Sequence, residues 1–138
     1  GRILFMDDDR KICDLTATML EGLDYKFDIA HNGEEAIKFY QRYLKIGRPY
    51  DVVIMDISMP VMSGLEAAQE MRKLEAQSDR DPSFIIALTG NAFDSDRQNC
   101  IAAGMDGFLT KPIRLTDLTD CLSAAFSDAA ADTTLPAG

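Results

Sequence analysis

Five short apolar runs alternate along this chain with segments whose apolar residues recur at helical spacing. The runs are Ile3-Leu4-Phe5-Met6, a weaker stretch from Tyr25 to Ala30, Val52-Val53-Ile54-Met55, Phe84-Ile85-Ile86-Ala87-Leu88 and Phe108-Leu109-Thr110. After the first run, Ile12, Leu15, Met19, Leu20 and Leu23 predict a helix that closes near Gly22. The turn signal His31-Asn32-Gly33, followed by acidic residues, opens a second helix from about Glu34 to Leu44, which stops before Gly47 and Pro49. Leu65, Ala68, Met71 and Leu74 mark a third, and the polar stretch from Gln77 to Pro82 separates it from the next strand. Asp94 to Ala103 reads as a fourth helix ended by Gly104, and Leu115 to Phe126 as a fifth. Strand-helix alternation of this kind predicts an α/β domain built on a parallel sheet. Right-handed crossovers lead to the strand order 2-1-3-4-5 with helices on both faces.

Four of the runs stop at a residue able to handle phosphate or metal: Asp7-Asp8-Asp9, Asp56, Thr89 and Lys111. In an open parallel sheet the carboxyl ends of the strands share one edge, and ligands bind in the crevice outside it. Residues scattered along the sequence are therefore expected to meet. Carboxylates crowded together raise one another's pKa and oppose folding unless a cation sits among them. Hard oxygen ligands without His or Cys suit Mg²⁺, which keeps several waters and takes only one or two protein carboxylates. Lys111 can pair with Asp56 at rest and with phosphoryl oxygens afterwards, and the Thr89 hydroxyl can donate to the same group. A carboxylate can also accept a phosphoryl group as an acyl phosphate, and Asp56 is the best acceptor. It follows a fully apolar strand and precedes a loop with room for a donor, whereas Asp7 to Asp9 begin a helix.

The length of 138 residues allows one core, and a second catalytic domain does not fit. Residues 1–126 are expected to form the domain and 127–138, rich in Ala, Asp and Thr, a flexible tail or linker. The chain opens almost inside its first strand without an initiator Met, so it is expected to be a piece of a longer protein. No apolar stretch is long enough to span a bilayer and no leader precedes the first strand, which leads to the expectation of a cytoplasmic domain without membrane contact. A net charge of -9 repels phosphate backbones and argues against direct nucleic-acid binding. Cys13, Cys100 and Cys121 form no metal-binding or redox pattern and are expected to be reduced, mostly buried side chains. His31, the only histidine, is expected in a loop away from the site.

These residues resemble the receiver domains of two-component response regulators, most of all receivers attached to hybrid histidine kinases. The matching motifs are Ile3 to Asp8 with its acidic pair, Met55 to Gly64 around Asp56, Ala87-Leu88-Thr89-Gly90-Asn91-Ala92, and Ala103 to Ile113 ending in Thr110-Lys111-Pro112-Ile113. The resemblance implies a flavodoxin-like, doubly wound sheet, phosphorylation of Asp56 from a phosphohistidine on a histidine kinase or histidine phosphotransfer domain, and a signalling rather than an enzymatic role. It implies that Asp8, Asp56 and the backbone carbonyl of Ser58 bind Mg²⁺ directly and Asp7 mainly through water. Thr89 and Lys111 would contact the phosphoryl group, a cis Lys111–Pro112 bond would aim the lysine, and Phe108 would take the place of the family's aromatic switch residue. The face of helix 4, strand 5 and helix 5 would carry the response, and a second copy could dock there.

Two positions depart from the pattern. Phe108 lacks the hydroxyl of the frequent Tyr, so an inward ring packs without donating a hydrogen bond. Gly90 stands where Ala is common, which leaves the space beside the phosphate open. Ser58 and Asn91 lie where the family tunes phosphate lifetime. Taken without the family, the Asp triplet could simply cap a helix, which is the role expected for Asp9. A phosphohydrolase of the haloacid-dehalogenase type also uses an Asp nucleophile and Mg²⁺, but it needs a Thr or Val in the first motif that Asp7-Asp8-Asp9-Arg10-Lys11 lacks.

Overall fold

The computed structural model describes residues 2–48, 50–57, 64–78, 82–90 and 94–134, and of residues 64, 78, 94–97 and 127–134 the backbone alone. Its elements run β1 (Arg2–Met6), α1 (Arg10–Gly22), β2 (Lys26–Ala30), α2 (Gly33–Lys45), β3 (Val52–Asp56), α3 (Gly64–Ser78), β4 (Phe84–Thr89), α4 (Asp94–Ala102), β5 (Gly107–Thr110) and α5 (Leu115–Thr134). The strands form one five-stranded sheet in the order β2-β1-β3-β4-β5. Every pairing is parallel.

Side chains of a strand alternate between the two faces of its sheet, and here both faces are covered. On one face Leu4, Met6, Val53, Met55, Ile85 and Ala87 pack against Ala36, Tyr40 and Leu44 of α2, Ala67, Ala68 and Met71 of α3, and Cys100 of α4. On the other, Ile3, Phe5, Val52, Ile54, Ile86, Leu88 and Leu109 meet Cys13 and Leu20 of α1 and Leu118, Leu122 and Ala125 of α5. Burial of each Leu, Ile or Met removes enough apolar area to stabilise the fold by about 1.5–3 kcal/mol. The two layers therefore hold the central strands from both sides, and the strand ends inherit that rigidity.

Two features differ from the periodic pattern. Leu15 belongs to the apolar series of α1 yet is 51% exposed, while its neighbour Thr16 is fully buried. The stripe that meets the sheet runs through Cys13, Thr16 and Leu20, one position off the most hydrophobic series. The second difference is the last helix. It continues through Thr134 instead of ending at Phe126, eight residues into the stretch 127–138. Ala129, Ala130 and Ala131 supply high intrinsic helix propensity there. Residues 135–138 of that stretch lie outside the described residues.

Candidate functional site

Register brings the strand-end residues together. Met6 lies opposite Met55, so Asp7 and Asp56 follow at the same level on adjacent strands. Thr89 lies opposite Thr110, and Lys111 is the next residue after it. The chain is held there by backbone bonds: the Asp7 amide donates to the Ala30 carbonyl at 3.1 Å, the Ile57 amide to Leu88 at 3.1 Å, and the Lys111 amide to Thr89 at 2.8 Å. The Lys111–Pro112 peptide bond is cis, as the resemblance implies.

Carboxylate oxygens of Asp7, Asp8 and Asp56 lie within 4.8 Å of one another. Asp7 and Asp56 are buried, whereas Asp8 is exposed. The Lys111 ammonium sits between the two buried carboxylates, 3.0 Å from Asp56 Oδ2 and 3.1 Å from Asp7 Oδ2. It donates a hydrogen bond to Asp56. Toward Asp7 the contact is an ion pair by distance, and among the described residues the buried Asp7 Oδ2 accepts no hydrogen bond. Three carboxylates thus cluster together, and two of them pair with the Lys111 ammonium. That is an arrangement suited to a hard cation.

The electrostatics follow from burial and from these pairs. Loss of water pushes the Asp7 pKa up, the Asp9 amide and Lys111 offset this in part, and the Asp56 charge adds to it. Burial works against the Lys111 charge, but the hydrogen bond to Asp56 and the close negative charge of Asp7 outweigh it and hold the ammonium above its ordinary range. Lys111 therefore stays charged at neutral pH.

Thr89 is 5% exposed at the end of β4. Gly90 follows, and a Cβ there would meet nothing within 4 Å among the described residues. Phe108 lies opposite Ala87 and is partly buried against the core that α2, α3 and α4 cover. Its other surroundings include a cleft along β5 and α5 lined by Leu109, Thr110, Asp117, Asp120 and Cys121. Ser58 and Asn91 lie outside the described residues, as does the loop 59–63.

Two residues near Asp7 have parts that the sequence pattern does not reveal. Asp9 caps α1, its side chain accepting from the amides of Lys11 at 2.9 Å and Ile12 at 3.4 Å. Its own amide also donates to Asp7 Oδ1 at 2.9 Å, so the residue expected only as a cap orients a carboxylate as well. Cys13, one turn into the helix, donates its thiol to the Asp7 carbonyl at 3.2 Å. Burial, with the Asp7 charge next, pushes that thiol up to about 11. His31 stays outside the carboxylate cluster, but its Nδ1 is 3.9 Å from Cys13 Sγ, which brings it closer than a distant loop residue. All three cysteines are free thiols.

Comparison with known proteins agrees with this geometry. Residues 3–123 match the family described as response regulator receiver domain. Hybrid signal transduction histidine kinase B of Dictyostelium discoideum is 35% identical over 125 residues, which are 85% of this chain and 6% of that protein. The chain therefore spans only a small part of the curated relatives it matches. The receiver domain of sensor histidine kinase PA1611 from Pseudomonas aeruginosa PAO1, solved with a magnesium ion coordinated in its active site cleft, is 31% identical with a TM-score of 0.76 over 91% of this chain and 97% of that one. The co-crystal structure of the Saccharomyces cerevisiae histidine phosphotransfer signaling protein Ypd1 with the receiver domain of the response regulator Ssk1 matches at 30% identity and a TM-score of 0.75, covering 86% of this chain and 83% of that one. These findings give the haloacid-dehalogenase alternative no support. The parallel sheet in the order 2-1-3-4-5, the carboxylates at the ends of β1 and β3 and the lysine after β5 agree with that match, and the chain is a member of the response regulator receiver domain family of two-component signalling.

Proposed function

We propose that Asp56 accepts a phosphoryl group from a phosphohistidine on a histidine kinase or histidine phosphotransfer domain, and that the resulting acyl phosphate switches the domain. The observation that carries this reading is the Lys111 ammonium 3.0 Å from Asp56 and 3.1 Å from Asp7, with the Asp8 carboxylate in the same cluster. In the transfer an Asp56 oxygen attacks phosphorus, the P–N bond breaks, and its electron pair leaves on the donor imidazole, which takes up a proton. Little covalent help is needed, because catalysis of phosphoryl transfer is mainly positioning and charge neutralisation.

Asp8 and Asp56, with the backbone carbonyl of Ser58, would hold Mg²⁺ directly, and Asp7 would act through water. When bound, the ion would neutralise the carboxylates and polarise the phosphoryl oxygens. Lys111 turns from Asp56 to the incoming phosphoryl group, while Thr89 donates its hydroxyl to another oxygen and Phe108 follows it inward. The response then appears on the face of α4, β5 and α5, where a second copy of the chain could also dock. The domain is read as a phosphoacceptor that assists its own modification and not as an enzyme with a separate substrate. Its similarity to hybrid kinases supports a hybrid histidine kinase as the parent, acting in the cytoplasm.

The test is incubation with acetyl phosphate, a small donor, with and without Mg²⁺. A mass increase of one phosphoryl group is expected only with the cation and only in the chain that retains Asp56. Phosphate retained in Asp56→Asn would overturn the assignment.

A further inference from the structure

The end of the sheet away from the carboxylates carries a second polar cluster, centred on Arg72 of α3. Its Nε donates to the Gly104 carbonyl at 2.9 Å and Nη1 to the Ser83 carbonyl at 2.9 Å. The same guanidinium pairs with Glu75 and Asp106, each at 2.7 Å. Neither carboxylate is committed to Arg72 alone. Asp106 Oδ2 also accepts the Ile85 amide at 2.9 Å, and the Asp106 amide returns to the Ile85 carbonyl at 2.7 Å. Glu75 Oε2 accepts the Ser83 amide at 2.8 Å and the Tyr40 hydroxyl, and Ser83 Oγ donates to the Tyr50 carbonyl. Glu75 and Ser83 are 6% and 3% exposed, so that half of the network is shielded from water, whereas the Asp106 side chain is 39% exposed and the Arg72–Asp106 pair meets solvent.

One guanidinium therefore ties the turn between α4 and β5 to α3 and to the start of β4. The turn is shaped for it. Gly104 has φ +93, a conformation that favours glycine, and a Cβ there would crowd Arg72 Cγ at 3.0 Å. Asp106 stands two residues before Phe108.

We propose that Arg72 is the fixed pivot of the switching segment. It anchors the amino end of β5 and the end of α4, so that the response to phosphorylation is confined to the opposite, carboxyl end of β4 and β5 around Thr89 and Phe108. The functional half of this proposal rests on Asp56 phosphorylation, but the anchoring does not. Charge-assisted hydrogen bonds are among the stronger polar contacts, four of them converge on this one guanidinium, and their loss loosens the elements they join before the rest of the fold.

Amide hydrogen exchange of the full chain tests the anchor without phosphate. In Arg72→Met, and more mildly in Asp106→Asn, which keeps an acceptor for the Ile85 amide, exchange at Ile85 and from Ala103 to Phe108 is expected to rise by about tenfold or more, with β1 and β3 unchanged. A uniform rise over the whole sheet in both variants, or no rise at the turn, would overturn the proposal. A second arm adds acetyl phosphate and Mg²⁺. Asp56 should still be modified in both variants, because Arg72 lies outside the site, but the change in exchange on modification should extend into residues 103–107 instead of staying near Thr89. A change that stays near Thr89 in both variants would overturn the pivot, whereas absence of modification in the wild type would count against the phosphoacceptor reading alone.

Discussion

Lys111 reaches Asp56 across an intervening strand: its Nζ lies 3.0 Å from Asp56 Oδ2 although β4 stands between β5 and β3. The span is possible because the residue stands beyond the last pair of β5, with its amide held by the Thr89 carbonyl at 2.8 Å. Lys111→Ala removes the ammonium that offsets two buried carboxylates. Modification of Asp56 by acetyl phosphate should become slower but remain detectable by mass spectrometry, and the Thr89 methyl resonance should no longer shift when Asp56 is modified. Modification at the wild-type rate would show that Lys111 has no part in the transfer.

Asp7 should cost stability in the absence of a divalent cation. Its carboxyl is fully buried, and burial raises its pKa above the ordinary 3.8. A carboxyl with a raised folded pKa binds its proton more tightly in the native state, so stability falls as pH rises through the window between the two pKa values. Asp7→Asn is therefore expected to melt a few degrees higher than the wild type at pH 7, about 1 kcal/mol being worth roughly 2–8 °C in small domains. The gap should close as pH falls through the raised pKa. Added Mg²⁺ should stabilise the wild type more than the variant, and thermal melts at several pH values, with and without the cation, measure both effects.

Phosphorylation should draw Thr89 toward Asp56 and let Phe108 turn inward. A charge-assisted hydrogen bond from Thr89 is worth about 1.5–3 kcal/mol, enough to bias a balanced equilibrium strongly. Without a hydroxyl to hold it, the Phe108 ring should sample both positions before modification. NMR spectra with and without beryllofluoride should show changes at Thr89, Phe108 and the face of α4, β5 and α5. Spectra unchanged there would leave a phosphoacceptor without this switch.

The cysteines should react in a set order. Cys121 is half-buried on α5, while Cys13 and Cys100 are 3% and 0% exposed. Cys13 is further protected by a thiol pKa pushed up to about 11, because the thiolate is the nucleophile. Alkylation of the native protein at pH 8 should label Cys121 first, with the other two labelled only on unfolding. Rapid native labelling of Cys13 would contradict its placement beneath Asp7.

The elements and their order are legible in the residues themselves, because apolar runs that end at Asp, Thr or Lys report both strand position and strand polarity. Parallel pairing then brings every such end to one edge, so Asp7, Asp8, Asp56, Thr89 and Lys111 could be grouped before any coordinate was known. Periodicity, however, weighs residues only by their polarity. It selected Leu15 for the inner face of α1, where close packing against the sheet instead buried Thr16. It also ended α5 at Phe126, since a helix sustained by Ala propensity leaves no apolar stripe to read. Only the folded chain determined which Asp7 oxygen faces Lys111 and that the Asp9 amide holds the other. The Arg72 cluster lies further still from sequence reasoning. Its bonds join residues as far apart as Arg72 and Asp106, and a hydrogen bond depends on distance and angle that no local pattern encodes.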